Sequence, residues 1–183
     1  MKIHQTELEI VRGSVLEIQA DAVVNAANTG MRGGGALDSA FHRDAGPQLK
    51  RELEIVAPDG ARTAEVVVTP GFNLPQPWIF HVAGPVWKDA KAEECDALLS
   101  QSYRSCLEQA HRRELESLAL PSLSTGVYAF PLQRAAPIAI QTALDFLLDH
   151  PQTSLRRVTF ALYGGEEFYY FGRALKSHEK SHA

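Results

Sequence analysis

The sequence predicts an α/β domain in which a central, mostly parallel but mixed sheet carries helices on both faces. Two observations support this fold class. Apolar runs typical of buried strands alternate with amphipathic helix patterns along the whole chain. The length of 183 residues suits one domain, and no segment resembles a linker. We place a single domain at residues 1–177 and expect a frayed C-terminal tail at residues 178–183.

The first half of the chain predicts four strands and two helices. The strand-like runs are IHQTELEIVRG, DAVVNAA, EVVVTPGF and WIFHVAG. Pro70 and Pro85 help to end the last two of these strands. A helix begins near Ala36 and ends at Gly46, and a second, short helix follows as PQLKRELEIV.

The second half predicts three helices and two strands. A long amphipathic helix covers residues 92–115, because its apolar residues fall near one face. After it come the short strand SLALPSL, the loop STGVYAFP, the helix IAIQTALDFLLDH, the strand RRVTFALYG and the helix EEFYYFGRALKSHE. Pro137 disfavours helical geometry at Ala136, so we expect the fourth helix to begin near Pro137 or to kink there.

Charge, hydropathy and cysteine usage argue against several classes of protein. A net charge of −4 argues against a nucleic-acid surface, because phosphate binding uses clustered Lys and Arg. No apolar stretch approaches the roughly 18 residues that span a bilayer, and the N-terminal segment lacks the apolar core of a signal peptide. Cys95 and Cys106 lie about 16 Å apart on one predicted helix, too far for a disulfide. We therefore expect free thiols and a cytoplasmic location.

Three consecutive glycines, Gly33 to Gly35, follow the predicted strand DAVVNAA. Bare glycines let backbone N–H groups approach an anion, and a following helix N-terminus adds partial positive charge. The stretch is therefore a candidate phosphate cradle, although a flexible surface loop explains the same residues equally well. The P-loop and dinucleotide-binding fingerprints are both absent.

The loop STGVYAFP has a similar character and follows a second buried strand. Gly126 frees the backbone, Ser124 and Thr125 offer hydroxyls, and Tyr128 offers a ring and a phenol. In such sheets ligands bind beyond the carboxyl ends of the strands. Two loops of this kind could clamp one anionic ligand between them.

Five polar side chains near these loops could carry chemistry: Asn25, Asn28, Asp38, His42 and His81. Asp38 either complements the helix dipole from the first turn or acts as a base or water-orienting carboxylate. The asparagines either turn the chain or present an amide to a ligand hydroxyl. We interpret the two histidines as core or supporting residues rather than catalysts, and the zinc-protease and serine-hydrolase motifs are absent.

Five segments in order resemble the macrodomain family. They are DAVVNAAN (21–28), GGGALD (33–38), HRDAGP (42–47), HVAGPVW (81–87) and STGVYAFP (124–131). The resemblance runs from about Ile10 to Leu175, and the step from Asn28 to Asp38 is similar to that of the MacroD-type hydrolases. It implies a three-layer α/β/α domain that binds ADP-ribose in a cleft at the strand ends.

The resemblance also implies a role for each motif residue. Asp38 would orient or activate water, Asn28 would hydrogen-bond the distal ribose, and Tyr163 would shape the distal-ribose side. The other implied substrate-binding residues are Ser14, Val15, Gly33, Gly34, Gly35, Ala36, Leu37, Ser124, Thr125, Gly126, Val127 and Tyr128.

Three residues depart from the pattern of the family. Ser14 stands where an aspartate usually accepts a hydrogen bond from the adenine amine, which implies weakened or altered base selectivity. Ala36 replaces a fourth glycine, which ordinary helical dihedral angles would tolerate. Arg32 stands at an often apolar position, and it either reaches a substrate phosphate or an acidic protein side chain, or is solvated.

By this resemblance the chain is a metal-independent hydrolase, without a cofactor, of O-acetyl-ADP-ribose or of ADP-ribosylated acidic side chains. Its partners would be ADP-ribose, O-acetyl-ADP-ribose and an ADP-ribosylated protein, with no nucleic acid and no membrane. The alternative is a binding module without turnover, whose base selectivity Ser14 has changed. A hydrolase of an unrelated substrate, in which Asp38 is only structural, leaves the paired loops unexplained.

Overall fold

The computed structural model describes residues 1–181, which form a seven-stranded mixed sheet flanked by five α-helices. The α/β/α fold class that the sequence predicts is confirmed. The strands are β1 (Lys2–Ile3), β2 (Thr6–Arg12), β3 (Ala22–Ala27), β4 (Val66–Pro70), β5 (Trp78–Ala83), β6 (Ser117–Leu120) and β7 (Arg157–Leu162). The helices are α1 (Ala36–Ala45), α2 (Pro47–Val56), α3 (Ala92–Arg112), α4 (Leu132–Asp149) and α5 (Gly165–Ser181). Short 3-10 helices cover Val15–Glu17 and Asp89–Lys91.

The strand order is β1-β2-β7-β6-β3-β5-β4. The five central strands are all parallel, and they are β2, β7, β6, β3 and β5. The edge strands β1 and β4 pair antiparallel to their neighbours. The carboxyl ends of five adjacent strands therefore meet at one edge of the sheet. This edge is where ligands bind in open α/β sheets.

Two hydrophobic cores separate the three layers. One lies between the sheet and helices α3, α4 and α5, and the other lies between the sheet and helices α1 and α2. Val24 of β3 packs into the first core and Val23 into the second, because successive side chains of a strand point to opposite faces. This two-sided burial explains the continuous apolar run that precedes the glycines.

Three boundaries differ from the sequence prediction. The first predicted strand is a hairpin of β1 and β2, which reverses at His4 with a φ of 52°. Helix α4 begins at Leu132 and contains Pro137, because Pro131 caps it and its alanines pack fully buried against the sheet. Helix α5 continues to Ser181, two residues beyond the predicted helix. Residues 182–183 of the expected tail lie outside the described residues.

Cys95 and Cys106 are free and buried on α3, and burial raises the pKa of the Cys106 thiol. Within residues 1–181, no helix combines the length and the hydropathy that crossing a bilayer requires. The same part of the chain contains no group of three or more His, Cys, Asp or Glu side chains placed to hold a metal ion.

Candidate active site

The predicted site segments come together at the carboxyl edge of the sheet. The first loop (residues 28–35) follows β3, and the second loop (residues 121–131) follows β6. Ser14 follows β2, Tyr163 follows β7, and Gly84 follows β5. All five positions therefore line one crevice above the parallel strands, in the strand order β2, β7, β6, β3 and β5.

Asp38 lies in the first turn of α1, and only 2% of the residue is exposed. Its Oδ1 accepts a hydrogen bond from Asn25 Nδ2 at 2.7 Å and lies 3.5 Å from His42 Nε2. Its Oδ2 is buried and has no protein partner. Since an unmet buried acceptor costs about 1–3 kcal/mol, this oxygen is suited to a donor from water or a ligand.

Asn28 and Asp38 both lie close to Gly34. Asn28 Nδ2 donates to the Gly33 carbonyl at 2.8 Å, and its Oδ1 is buried without a protein partner. A Cβ on Gly34 would lie 2.9 Å from Asn28 Nδ2 and 3.5 Å from Asp38 Oδ2. A Cβ on Gly33 or Gly35 would meet nothing within 4 Å. The loop is therefore tight on its inner side and open on its outer side.

A buried hydrogen-bond chain lies behind Asp38. His81 Nδ1 is 3.1 Å from Asn25 Nδ2, and His81 Nε2 is 2.9 Å from Thr69 Oγ1. Burial, and to a smaller extent the charge of His42, lowers the pKa of His81 to about 3. His81 is therefore neutral near pH 7 and has a partner on each ring nitrogen, as expected of a supporting histidine.

The neutral state of His81 predicts acid sensitivity. The unfolded chain takes up a proton at His81 near its ordinary pKa of 6.5, whereas the folded chain does so only near 3. The free energy of unfolding that His81 contributes is fully present above pH 6.5 and is lost as pH falls toward 3, by a few kcal/mol in order of magnitude. Urea unfolding at pH 7, 5.5 and 4 measures this loss. His81→Gln should show a shallower pH slope than the wild type, and equal slopes would contradict the assignment.

The second loop is held in shape from below. The buried Tyr103 hydroxyl of α3 accepts from the Leu123 N–H at 2.8 Å and donates to the Pro121 carbonyl at 3.2 Å. Ser124 and Ala129 have φ angles of 64° and 56°, a left-handed conformation that costs non-glycine residues on the order of 1–2 kcal/mol. Strain of this kind persists where the surrounding structure imposes it, and often at ligand-binding segments.

Polar groups of the second loop face the same crevice. The Ser124 hydroxyl is buried without a protein partner, and a Cβ on Gly84 would lie 2.1 Å from it. Burial, together with the nearby charge of Asp38, raises the pKa of Tyr128. Gly126 and Val127 are exposed, and a Cβ on Gly126 would meet nothing within 4 Å. The two loops thus approach Asp38 from neighbouring strands.

Thr125 has protein partners for its hydroxyl. Its Oγ1 lies 2.7 Å from Ser122 Oγ and 3.5 Å from Glu167 Oε1, and Glu167 also accepts the Gly164 N–H at 3.2 Å. These contacts connect the second loop to the beginning of α5. The sequence analysis expected Thr125 at the ligand and did not find Glu167.

Ser14 caps a short 3-10 helix. Its Oγ accepts from the Leu16 N–H at 3.3 Å, while Glu17 accepts the Ser14 N–H at 3.2 Å. This reciprocal capping box was legible in the sequence as SVLE but was missed. The Val15 side chain is buried in the core, so only its backbone is available to a ligand.

Tyr163 follows β7, the strand that lies next to β2 and so to the Ser14 segment. The Tyr163 side chain is 81% exposed, and the strand order puts β7 two positions away from β3. Tyr163 therefore lies on the Ser14 side of the crevice, and its role at the distal ribose stays a prediction. Local sequence patterns do not reveal this because they contain no strand order.

Arg32 and Ala36 have structural explanations. The Arg32 guanidinium donates to the carbonyls of Leu53, Ala57 and Pro58 at 2.6–3.5 Å, so it caps the end of α2 instead of pointing to a ligand. Ala36 begins α1 and has no positive φ, so the missing fourth glycine causes no strain. The half-buried Leu37 packs against the core beside α1 and α2, which leaves its backbone for ligand contacts.

Comparisons with known proteins agree with this geometry. A family model of the macro domain matches residues 24–139. A macro domain-containing protein of Cupriavidus necator is 39% identical over 163 residues, 88% of this chain and 92% of the relative. The Oceanobacillus iheyensis macrodomain with ADP has a TM-score of 0.91 at 34% identity, covering 99% of this chain and 96% of that chain. The Trypanosoma brucei macrodomain in complex with ADP-ribose has a TM-score of 0.84 at 36% identity, covering 92% of this chain and 68% of that chain. The chain therefore belongs to the macro domain family.

Proposed function

We propose that this macro domain hydrolyses esters of ADP-ribose, with Asp38 as the residue that orients or activates water. The observation that carries the proposal is the Asp38 carboxylate, which is buried, held at Oδ1 and unpartnered at Oδ2 beneath a bare glycine loop. A carboxylate that only complemented the helix dipole would have no need of a free oxygen facing a crevice.

The ligand class follows from the shape of the crevice and from the relatives. The open outer faces of the first and second loops offer backbone N–H groups to a diphosphate without a Cβ in the way. ADP in the Oceanobacillus macrodomain and ADP-ribose in the Trypanosoma macrodomain support the same choice of ligand here. We place the base toward Ser14 and the distal ribose toward Asn28, whose unpartnered Oδ1 is free to accept from a ribose hydroxyl.

The reaction is then a simple ester hydrolysis. Asp38 Oδ2 takes a proton from water as the water oxygen bonds to the ester carbon. The ester C–O bond then breaks, and the departing oxygen receives that proton from Asp38 and leaves as a hydroxyl or acid, which restores the carboxylate. The Asn25 hydrogen bond keeps Oδ1 in place during this step. Asp38 alone takes up the proton of the water and returns it in this scheme.

The test compares two substrates, O-acetyl-ADP-ribose and a peptide carrying ADP-ribose on a glutamate, each with and without a chelator. We expect release from at least one ester above the spontaneous rate, unaffected by the chelator. Binding of both ligands without release would support the alternative, a non-catalytic ADP-ribose-binding module. The choice between metabolite and modified protein is also decided by this comparison.

Ser14 predicts a specific change in base recognition. Ser14→Asp keeps the cap of the 3-10 helix, since aspartate caps as well as serine, and adds a charged acceptor. We expect affinity for ADP-ribose to rise about tenfold, because a hydrogen bond to a charged group is worth about 1.5–3 kcal/mol. Calorimetry with ADP-ribose measures this, and the hypoxanthine analogue, which lacks the exocyclic amine, is the control. Equal affinity of the wild type and the variant for ADP-ribose would show that the side chain at position 14 takes no part in base recognition.

A further inference from the structure

We propose that Asn25, His81 and Thr69 are positioning residues that fix the orientation of the Asp38 carboxylate through one buried hydrogen-bond chain. The inference rests on the proposed function, since it concerns how Asp38 is prepared for its reaction. None of the three residues is exposed to solvent or to the crevice surface, because each has 0% accessibility.

Strand register brings the three side chains together. Asn25 of β3 is paired directly with His81 of β5. In the antiparallel pair of β4 and β5, Val67 is opposite His81, so Thr69 lies two residues further on the same face. That face is the one covered by α1, which carries Asp38.

One set of donors and acceptors satisfies every hydrogen bond between Thr69 and Asp38. In this set Thr69 donates its one hydroxyl proton to the Pro70 carbonyl at 3.1 Å, and its Oγ1 accepts from His81 Nε2 at 2.9 Å. His81 Nδ1 then carries no proton and accepts from Asn25 Nδ2 at 3.1 Å. The other proton of the Asn25 amide goes to Asp38 Oδ1 at 2.7 Å.

This direction of the hydrogen bonds keeps the Asn25 amide from turning its oxygen toward Asp38. If the Asn25 amide rotated by 180°, its oxygen would face both the Asp38 carboxylate and the lone pair of His81 Nδ1. The fixed tautomer of His81 therefore keeps an N–H, not an oxygen, on Asp38. His42 from α1 and Tyr128 from the second loop are titratable groups that also face Asp38, and neither is a member of the hydrogen-bond chain.

The test uses three threonine variants in the ester hydrolysis assay. Thr69→Val removes the acceptor that fixes the His81 tautomer at nearly unchanged volume, whereas Thr69→Ser restores it. We expect Thr69→Val to lower kcat about tenfold or more at an almost unchanged KM, and to move the acidic limb of the kcat–pH profile to higher pH. Thr69→Ser should recover most of kcat and the wild-type limb.

Thr6→Val is the matched control for the loss of a buried threonine. Thr6 is a buried strand residue that donates to the Leu155 carbonyl at 2.7 Å, at the opposite edge of the sheet. We expect this variant to lower the free energy of unfolding and to leave the position of the acidic limb unchanged. An equal shift in Thr6→Val and Thr69→Val would overturn the proposal.

A nitrogen-15 NMR measurement of the His81 ring gives a readout that does not depend on activity. The proposal requires the proton on Nε2 in the wild type and a mixture of tautomers in Thr69→Val. A wild-type proton on Nδ1, or a Thr69→Val variant with wild-type kcat and acidic limb, would overturn it. If the wild type hydrolyses no ester, only the proposed function is refuted. The His81 tautomer measured by NMR still tests whether the hydrogen bonds from Thr69 to Asp38 run in the proposed direction.

Discussion

Replacing Asp38 by asparagine is expected to lower kcat for ADP-ribose ester hydrolysis by about 100-fold or more. Asparagine has almost the same shape, but it cannot take a proton from water, and general base catalysis is typically worth about 10²–10⁴-fold. Asp38→Ala should abolish turnover in the same way. Affinity for ADP-ribose should change little, because in the proposed binding mode the backbone of the two loops contacts the diphosphate.

The measurement is kcat together with the dissociation constant of ADP-ribose for each variant. Asp44→Asn is the control, because Asp44 lies on the same helix but is exposed and pairs with Arg43 at 2.8 Å. A drop in affinity as large as the drop in kcat would make Asp38 a binding residue. Unchanged turnover in Asp38→Asn would rule out its assigned role.

Gly34→Ala is expected to lower kcat by about tenfold or more, although glycine has no side chain that could take part in the reaction. Its Cβ would lie 2.9 Å from Asn28 Nδ2, closer than real Cβ atoms approach. Asn28 cannot yield freely, since the same nitrogen donates to the Gly33 carbonyl at 2.8 Å. The new methyl group also narrows the space in front of Asp38 Oδ2, where the proposed water must stand.

Steady-state kinetics with O-acetyl-ADP-ribose measures this effect, and thermal unfolding checks that the fold is retained. Gly172→Ala on α5 is the matched control, because a Cβ there meets nothing within 4 Å. In a helix this change should stabilise the protein by about 0.5–1 kcal/mol and leave kcat unchanged. Full activity in Gly34→Ala would show that the working site does not depend on the close approach of Gly34 to Asn28 and Asp38.

The sequence predicted those features that depend on local pattern. The buried run before Asn25 and the glycines of the first loop predicted a strand followed by a ligand loop, and the family resemblance added the fold. The assigned roles of Asn28 and Asp38 stay predictions until variants are assayed. The structure adds that both side chains have a buried, unpartnered oxygen in the same crevice.

Features that depend on strand order or register could not be predicted in this way. The position of Tyr163 beside the Ser14 strand follows only from the strand order, which puts β7 next to β2, and its role at the distal ribose stays a prediction. The hydrogen-bond chain from Thr69 to Asn25 depends on the register of β3, β4 and β5, of which β3 is far from the other two in sequence. Arg32 looked available to a ligand because its partners, the last carbonyls of α2, are more than twenty residues away.

The most direct test of the central claim is acetate release from O-acetyl-ADP-ribose in a single turnover, with the wild-type protein in excess over the ester. The account predicts complete binding followed by first-order release far above the spontaneous rate, and release at the spontaneous rate in Asp38→Asn. Complete binding with spontaneous release in the wild type would contradict it, and the crevice would then belong to a module that binds ADP-ribose without turning it over.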